Sequence, residues 1–186
     1  MIERTLLLMK PDAVQRAIVG KILERFENVG LKIVGMKMVH ADRKLAEKHY
    51  LVDNLLKTTV HNTRAAYAKK GIELKESDLE IAKRIQKMLT DFLVEGPVIA
   101  LVLEGPHAIE VVRKLVGGTE PRTAAPGTIR GDFFMDSYFV SDKKGRPLRN
   151  LIHASGIKEE AEYEIALWFM KEELFTWESM HDRHVK

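Results

Sequence analysis

Short apolar runs alternate with amphipathic helical stripes along this 186-residue chain, and this order constrains the fold more than any other feature. Residues 5–9, 31–39 and 98–103 are apolar runs of the length and composition typical of buried strands. Apolar residues also recur at helical spacing between the first two runs, at Val14, Ile18, Ile22, Phe26 and Val29. This stripe predicts an amphipathic helix that ends at Gly30, so the chain begins with strand, helix and strand.

The long segment Tyr50–Pro97 is predicted to be helical, with a loop around residues 70–71 that divides it. Asp42 stands where it can cap a short helix just before this segment. Ser77 and Glu80 have the spacing of a capping box, which predicts the start of a second long helix. We therefore expect several helices between the second and third strands.

After the third strand, apolar spacing predicts a helix that ends at Gly117 and Gly118, with its stripe at Ile109, Val112 and Val116. Residues 119–131 contain two prolines, two glycines and two arginines, so this segment is expected to be an irregular loop rich in phosphate-binding groups. Residues 133–140 and 148–153 are predicted to be two strands joined as a hairpin.

A final helix is expected to open at Ser155 or Gly156, and the last seven residues are expected to form a surface tail. This order of elements predicts an α+β fold, the ferredoxin-like βαββαβ sandwich, in which helices cover one face of a four-stranded antiparallel sheet. The chain length suits a single domain over residues 1–186.

Composition excludes several classes of function. The formal net charge is +3 with a pI near 9.0, and the basic residues are scattered, so nucleic-acid binding is not expected. No apolar run approaches the ~20 residues of a membrane-spanning helix, and the first nine residues lack the features of an export signal. The absence of cysteine removes disulfides and thiolate chemistry. A cytoplasmic protein is expected by default.

The sequence contains neither of the Gly-rich nucleotide-binding patterns GxxxxGK(S/T) and GxGxxG. Phosphate groups, if this chain binds them, must therefore be bound by side chains. Lysine, arginine and polar side chains near strand exits and in the irregular loop are the candidates. They are Lys10, Arg113, Thr119, Arg122, Arg130 and Asn150. Each of them taken alone is more often a solvated surface residue, so the composition of this group leaves its function open.

His153 differs from the other histidines because it ends an apolar run immediately before a small-residue turn and a helix. A side chain in that position can face a cleft. Glu164 follows on the helix and could hold the imidazole through a hydrogen bond. Spacing alone leaves two other interpretations open: a buried or surface histidine without a function, and a glutamate that faces solvent.

Four segments resemble the nucleoside diphosphate kinase family: residues 10–16 (KPDAVQR), Arg113 with Thr119, residues 126–133 (PGTIRGDF) and residues 150–155 (NLIHAS). They cover nearly the whole chain in the family's order. The resemblance implies an enzyme that transfers the γ-phosphate of a nucleoside triphosphate to a nucleoside diphosphate and so maintains nucleoside triphosphate pools. It also implies a ping-pong mechanism with a phosphohistidine on His153.

The same resemblance implies roles for the other site residues. Lys10, Arg113, Thr119, Arg130 and Asn150 would bind phosphates and sugar hydroxyls. Tyr50 would stand beside the histidine, and Glu164 with Ser155 would orient its ring. Mg²⁺ would be carried by the nucleotide phosphates without direct protein ligands. Family members are homo-oligomers, so a hexamer or tetramer built from dimers is expected.

Three departures from the family pattern are visible in the sequence. The helical segment over roughly residues 53–91 is longer than usual. Ile85 is at the position best aligned with the phenylalanine that the family stacks on the base, and Phe92 or the displaced helix could take that role instead. The connection over roughly residues 135–148 is extended and predicted to be a hairpin. Gly156 replaces a common aspartate, which is expected to loosen the turn after His153 by ~0.5–2 kcal/mol.

Two other functions compete with this interpretation. The same fold could bind nucleotide or nucleic acid without transferring phosphate, or the phosphoenzyme could serve mainly to phosphorylate other proteins. An intact His153 together with the arginines favours the kinase, and labelling with γ-labelled ATP separates the three functions.

Overall fold

A computed structural model describes residues 2–68 and 71–185 of the chain. The chain divides into a first unit, Met1–His40 with Pro97–Lys186, and a second unit, Ala41–Gly96. None of the described helices has both the length and the apolar character needed to cross a lipid bilayer.

In chain order the elements are β1 (Ile2–Met9), α1 (Pro11–Gln15), α2 (Val19–Glu27), β2 (Lys32–Val39), α3 (Arg43–His49), α4 (Val52–Ala68), α5 (Asp78–Leu93), β3 (Val98–Pro106), α6 (Ala108–Val116), α7 (Ile129–Phe133), α8 (Tyr138–Lys143), β4 (Ile152–Ala154), α9 (Lys158–Trp168) and α10 (Asp182–Val185), with 3-10 helices at Pro121–Thr123 and Lys171–Glu173.

The first unit is built on a four-stranded sheet with the order β2-β3-β1-β4, and every neighbouring pair of strands is antiparallel. The strand β1 is central, and its apolar run at residues 5–9 is fully buried. Apolar side chains of α2 and α6 pack into the same core as the sheet. This architecture confirms the predicted α+β fold with a four-stranded antiparallel sheet. The register of β1 and β4 places Leu8 opposite His153.

The first predicted helix is interrupted. Residues 11–15 and 19–27 form the separate helices α1 and α2, and Ala17 between them has a left-handed backbone with φ 53°. The apolar spacing is nevertheless correct, because Ile22 and Phe26 are fully buried in the core. The helix ends at Glu27, before Gly30, whose φ of 82° is readily available only to glycine.

The second unit contains three helices, as predicted for this part of the chain. Asp42 caps α3 by accepting a hydrogen bond from the backbone N–H of Leu45 at 2.7 Å. Ser77 and Glu80 form the predicted capping box at the start of α5. The helices α4 and α5 pack on a small apolar cluster that includes Leu55 and Ile81. The dividing loop was predicted around residues 70–71, and position 70 lies outside the described residues.

The predicted hairpin over residues 135–148 is wrong. Residues 138–143 form α8, and the last strand begins only at Ile152. Ser137 starts the helix, because its hydroxyl accepts a hydrogen bond from Val140 N at 3.2 Å. The buried Asp136 carboxylate pairs with Arg146 at 2.6 Å and accepts a bond from Arg149 N at 2.9 Å. Local polar contacts therefore override the high strand propensity of this aromatic segment.

The predicted C-terminal surface tail is exposed at Met180, His181 and Arg183, but Asp182 within it is anchored to the first unit. Asp182 is buried, and its carboxylate lies 3.2 Å from the ammonium of Lys32, which also pairs with Glu104 at 2.7 Å. Phe175 N donates to Val34 O on β2 at 2.7 Å. The C-terminal segment thus covers part of an edge strand, whose backbone groups would otherwise face solvent.

Candidate active site

Lys10 lies at the junction between β1 and α1. Its backbone is extended, and Pro11 follows at the first helical position, where a missing N–H has no consequence. The buried ammonium donates to Asn150 Oδ1 at 2.8 Å, and Asn150 Nδ2 donates to Thr119 O at 3.0 Å. The amide of Asn150 therefore links the end of β1 to the irregular loop, and the structure brings Lys10, Asn150 and the backbone of Thr119 together.

The charge of Lys10 is strongly affected by its surroundings. Burial lowers the pKa of Lys10 to about 8, and the positive charge of Arg130 acts in the same direction. The Asp12 carboxylate opposes both effects. A cation held in this way is well suited to receive an anion, because a bound phosphate would restore the stability of its charged form.

Arg130 is directed inward by the local structure of the PGTIRG segment. The Thr128 hydroxyl caps α7 by accepting a hydrogen bond from Gly131 N at 3.2 Å. A Cβ atom at position 131 would lie only 2.2 Å from Ala125 O, so the close approach of these two backbone segments requires glycine. The short helix and the loop before it are thus packed tightly enough to bury the Arg130 side chain.

The guanidinium of Arg130 joins two segments of the site. Its Nε donates to Asn150 O at 3.1 Å, and its Nη2 donates to Ile152 O at 2.6 Å. Its Nη1 donates to Gly117 O at 3.0 Å. The planar guanidinium of arginine can donate to several acceptors at once, and here the carbonyl groups come from two different segments, the end of α6 and the backbone of residues 150–152. Arg130 therefore holds the end of α6 to the backbone that leads to His153.

His153 lies in the three-residue strand β4, and its ring is half-buried. Its Nε2 lies 2.8 Å from Glu164 Oε1, and Glu164 Oε2 accepts a hydrogen bond from the Ser155 hydroxyl at 2.6 Å. A carboxylate that accepts at Nε2 favours the neutral tautomer with its proton on Nε2, which places the ring lone pair on Nδ1. Buried Glu164 thus holds the imidazole in one orientation.

Arg113 and Thr119 are exposed at the rim of this group. Arg113 lies in the last turn of α6 and approaches the turn after His153, where its Nη1 is 3.5 Å from the position of a Cβ at residue 156. Gly156 N donates to Glu160 Oε2 at 2.8 Å, which holds the turn after His153 from its helix side. The helix α9 begins after Ile157 without a side-chain cap, so the loosening expected from Gly156 stays a prediction.

The remaining candidates are Arg122, Tyr50 and Ile85. Arg122 is exposed and pairs with Glu120 at 3.3 Å. Tyr50 and Ile85 belong to the second unit, where Tyr50 O accepts a hydrogen bond from Gln86 Nε2 at 2.8 Å and Ile85 packs against the apolar cluster of α4 and α5. Their roles beside the histidine and the base stay predictions.

Asp12 is a site residue to which the sequence pattern assigned no role. It is buried, its Oδ2 accepts a hydrogen bond from Leu151 N at 3.0 Å, and its Oδ1 accepts one from Ala13 N at 3.1 Å. The signal for it was an acidic residue directly after a buried strand, where a solvated carboxylate is uncommon.

The arrangement of carboxylates bears on how a divalent metal could be held. Asp12 is engaged by backbone N–H groups, and Glu164 is engaged by His153 and Ser155. Around His153, the described part of the first unit thus offers cationic and amide groups in place of an open set of carboxylates. These donors fit a metal that arrives bound to phosphate oxygens.

Comparisons with known proteins agree with this geometry. The family model described as nucleoside diphosphate kinase matches residues 3–72 and 78–174. A nucleoside diphosphate kinase of Pyrococcus horikoshii is 47% identical over 175 residues, which span 94% of this chain and 90% of that protein. The family match is interrupted only at residues 73–77, between α4 and α5. Whether the segment 53–91 exceeds the family's usual length stays a prediction.

Solved structures give the same result. The crystal structure of an NDP kinase from Pyrobaculum aerophilum has a TM-score of 0.89 and 41% identity, and the match covers 95% of this chain and all of that one (100%). A Borrelia burgdorferi nucleoside-diphosphate kinase, a transition state mimic with bound vanadate and ADP, has a TM-score of 0.84 and 37% identity over 99% of this chain and 96% of that one. The chain therefore belongs to the nucleoside diphosphate kinase family.

Proposed function

We propose that this protein transfers the γ-phosphoryl group of a nucleoside triphosphate to a nucleoside diphosphate by way of a phosphohistidine on His153, and so maintains nucleoside triphosphate pools. The observation that carries the proposal is the 2.8 Å contact of His153 Nε2 with the buried Glu164 carboxylate, which places the lone pair on Nδ1. Lys10 and Arg130 supply buried positive charge near this histidine. Fixed cations stabilise the charge that develops on a transferring phosphoryl group.

The reaction has two similar halves. The Nδ1 lone pair of His153 attacks the γ-phosphorus, the bond to the bridging oxygen breaks, and its electron pair leaves with the nucleoside diphosphate. An oxygen of the acceptor's terminal phosphate then attacks the same phosphorus, and the electron pair of the P–N bond returns to Nδ1. Covalent catalysis of this kind divides one transfer into two steps that use the same site.

The other residues bind and orient. Lys10, Arg113 and Arg130 would attract the phosphates, and Thr119 and Asn150 would bind phosphate or sugar oxygens. Ser155 holds Glu164 through its 2.6 Å hydrogen bond, and Glu164 keeps the imidazole in one orientation. Mg²⁺ carried by the β- and γ-phosphates would neutralise part of their charge. The vanadate and ADP bound to the Borrelia burgdorferi relative support a phosphoryl-transfer site on this fold.

Family resemblance extends the proposal to the state of the protein in the cell. We expect a cytoplasmic homo-oligomer, a hexamer or a tetramer built from dimers, and light scattering on the purified chain would measure its mass. Tyr50 beside the histidine and Ile85 at the base are further parts of the proposal, and a structure with bound diphosphate would test both.

Incubation with γ-labelled ATP and Mg²⁺ tests the function directly. We expect the label to enter the peptide that carries His153, to be lost in acid, and to move to GTP when GDP is added. A wild-type protein that binds ATP but never becomes labelled would refute the proposal and favour a binding module. Label that passes to proteins of a cell extract but not to GDP would instead favour a protein phosphotransferase.

The depressed pKa of Lys10 leads to a prediction about pH. We expect kcat/KM for the nucleotide to fall as the pH rises above about 8. Below that pH Lys10 carries its charge, and above it the charge and its attraction for phosphate are lost. Since kcat/KM reports groups of the free enzyme, a pH profile measures this titration. Lys10→Arg keeps its charge at higher pH, so an unchanged alkaline limb in this variant would contradict the assignment to Lys10.

A further inference from the structure

The backbone just before His153 is strained. Leu151 has φ 67°, a left-handed conformation that a leucine rarely adopts, and Ile152 N donates to Asn150 O at 2.7 Å. These two facts describe a three-residue γ-turn centred on Leu151, and the version with positive φ is rare and strained. Strained backbone persists only where its surroundings hold it, and it is concentrated at functional sites. The turn sets the direction in which β4 presents His153.

Both backbone groups of Leu151 are held by the segment that follows β1. Leu151 O accepts a hydrogen bond from Lys10 N at 2.8 Å, and Leu151 N donates to Asp12 Oδ2 at 3.0 Å. The other oxygen of Asp12 accepts from Ala13 N at 3.1 Å, so its carboxylate is fixed from two sides. Asp12 is buried, which strengthens these charge-assisted bonds. The side chain of Asp12 is therefore a direct support of the strained turn.

Asp12 also influences the charge of the site. Arg130 from α7 and Asp12 from α1 both act on the charge of Lys10, and Asn150 accepts a hydrogen bond from its ammonium. Arg130 repels the Lys10 ammonium, and Asp12 attracts it. The Asp12 carboxylate thus holds the backbone that leads to His153, and it also stabilises the positive charge of Lys10.

We propose that Asp12 is a positioning residue of this enzyme, which holds the Leu151 turn that directs His153 and supplies the negative charge that offsets Arg130 around Lys10. The inference rests on the function proposed above, because it assigns Asp12 to the same site. It also goes further, since a carboxylate that only stabilised α1 would affect neither the Leu151 backbone nor the titration of Lys10.

The variant Asp12→Asn tests this role. The carboxamide keeps the size of the side chain but removes the negative charge. Its NH₂ group must also face one of the two backbone N–H groups, of Leu151 and Ala13, that donate to the carboxylate in the wild type. We expect the alkaline limb of kcat/KM to move roughly one pH unit lower. We expect kcat below that limb to fall roughly ten- to a hundredfold, since His153 is less well directed.

Two measurements without substrate keep this test separate from the proposed function. NMR titration of the Lys10 side chain should show a pKa below that of the wild type, and amide exchange at Leu151 should be at least tenfold faster. Neither requires phosphoryl transfer. If wild-type protein is never labelled by ATP, the proposed function fails, while these two readouts still decide whether Asp12 holds the turn and the charge.

Asp182→Asn is the matched control. Asp182 is also a buried carboxylate beside a buried lysine, Lys32. Lys32 pairs with Glu104 as well, and Glu104 lies opposite Arg4, near the end of β1 that is far from Lys10. We expect it to lower thermal stability without changing the pH profile or the exchange of Leu151. Should Asp12→Asn not fold, Asp12→Ser retains one small acceptor and serves instead. A folded Asp12 variant with wild-type Lys10 titration and wild-type Leu151 exchange would overturn the proposal.

Discussion

Replacing His153 by alanine is expected to lower turnover by about 10⁴-fold or more, because a covalent mechanism has no substitute for its nucleophile. Glu164 and Ser155 would remain to bind each other, at 2.6 Å, but without an imidazole to orient. Nucleotide affinity should change little, since the cationic groups stay in place. Steady-state kinetics and ATP binding measured on the same preparation separate the two effects.

His40→Ala provides the control for this variant. His40 is an exposed histidine that follows β2 in the same unit, and it belongs to none of the contacts described around His153. We expect His40→Ala to retain wild-type labelling and turnover. If His153→Ala still formed an acid-labile phosphoenzyme, another residue would have to be the nucleophile, and the assignment to His153 would be wrong.

Replacing Arg130 by alanine is expected to have the second largest effect, on stability as well as on activity. The variant leaves Ile152 O without its Arg130 donor in a buried site and removes one of the two donors to Asn150 O, which keeps the bond from Ile152 N. It also frees the end of α6 at Gly117. Buried carbonyl groups without partners are costly, so we expect the free energy of unfolding to fall by about 3–5 kcal/mol. Denaturation by urea measures this change.

Arg130→Lys separates the charge of this residue from its geometry. A lysine ammonium retains the positive charge but cannot donate to carbonyl groups on both sides as the planar fork does. We expect an intermediate loss of stability and a fall in kcat/KM of about 10²-fold, because the backbone leading to His153 is less well held. Wild-type stability and activity in Arg130→Lys would mean that charge alone explains the residue.

The local sequence patterns were reliable where short-range physics decides the structure. Apolar spacing predicted that Ile22 and Phe26 face the core, and both are fully buried. The capping box at Ser77 and the cap at Asp42 also formed as predicted. In each case the interacting groups lie within four residues of one another, so the pattern contains all the information that the contact requires.

The patterns failed where a segment had two plausible structures. Residues 133–140 are rich in aromatic and β-branched residues, which favours a strand. The structure forms α8 there instead, since Asp136 is engaged by Arg146 and by Arg149 N, at sequence separations of 10 and 13. The contact that anchors the C-terminal tail was missed for the same reason, because Asp182 reaches Lys32 across 150 residues. Periodicity contains no information about contacts of this kind.

The site shows both behaviours. Apolar spacing was enough to predict a strand that ends at His153 and a helix after it, and the resemblance to a family named the residues expected around it. The bonds from Arg130 to Asn150 O and Gly117 O, and the bond from Leu151 N to Asp12 across 139 residues, became visible only in the folded chain. Those roles depend on backbone groups, which every residue carries alike, so no pattern of side chains could have indicated which carbonyl or N–H each residue would reach.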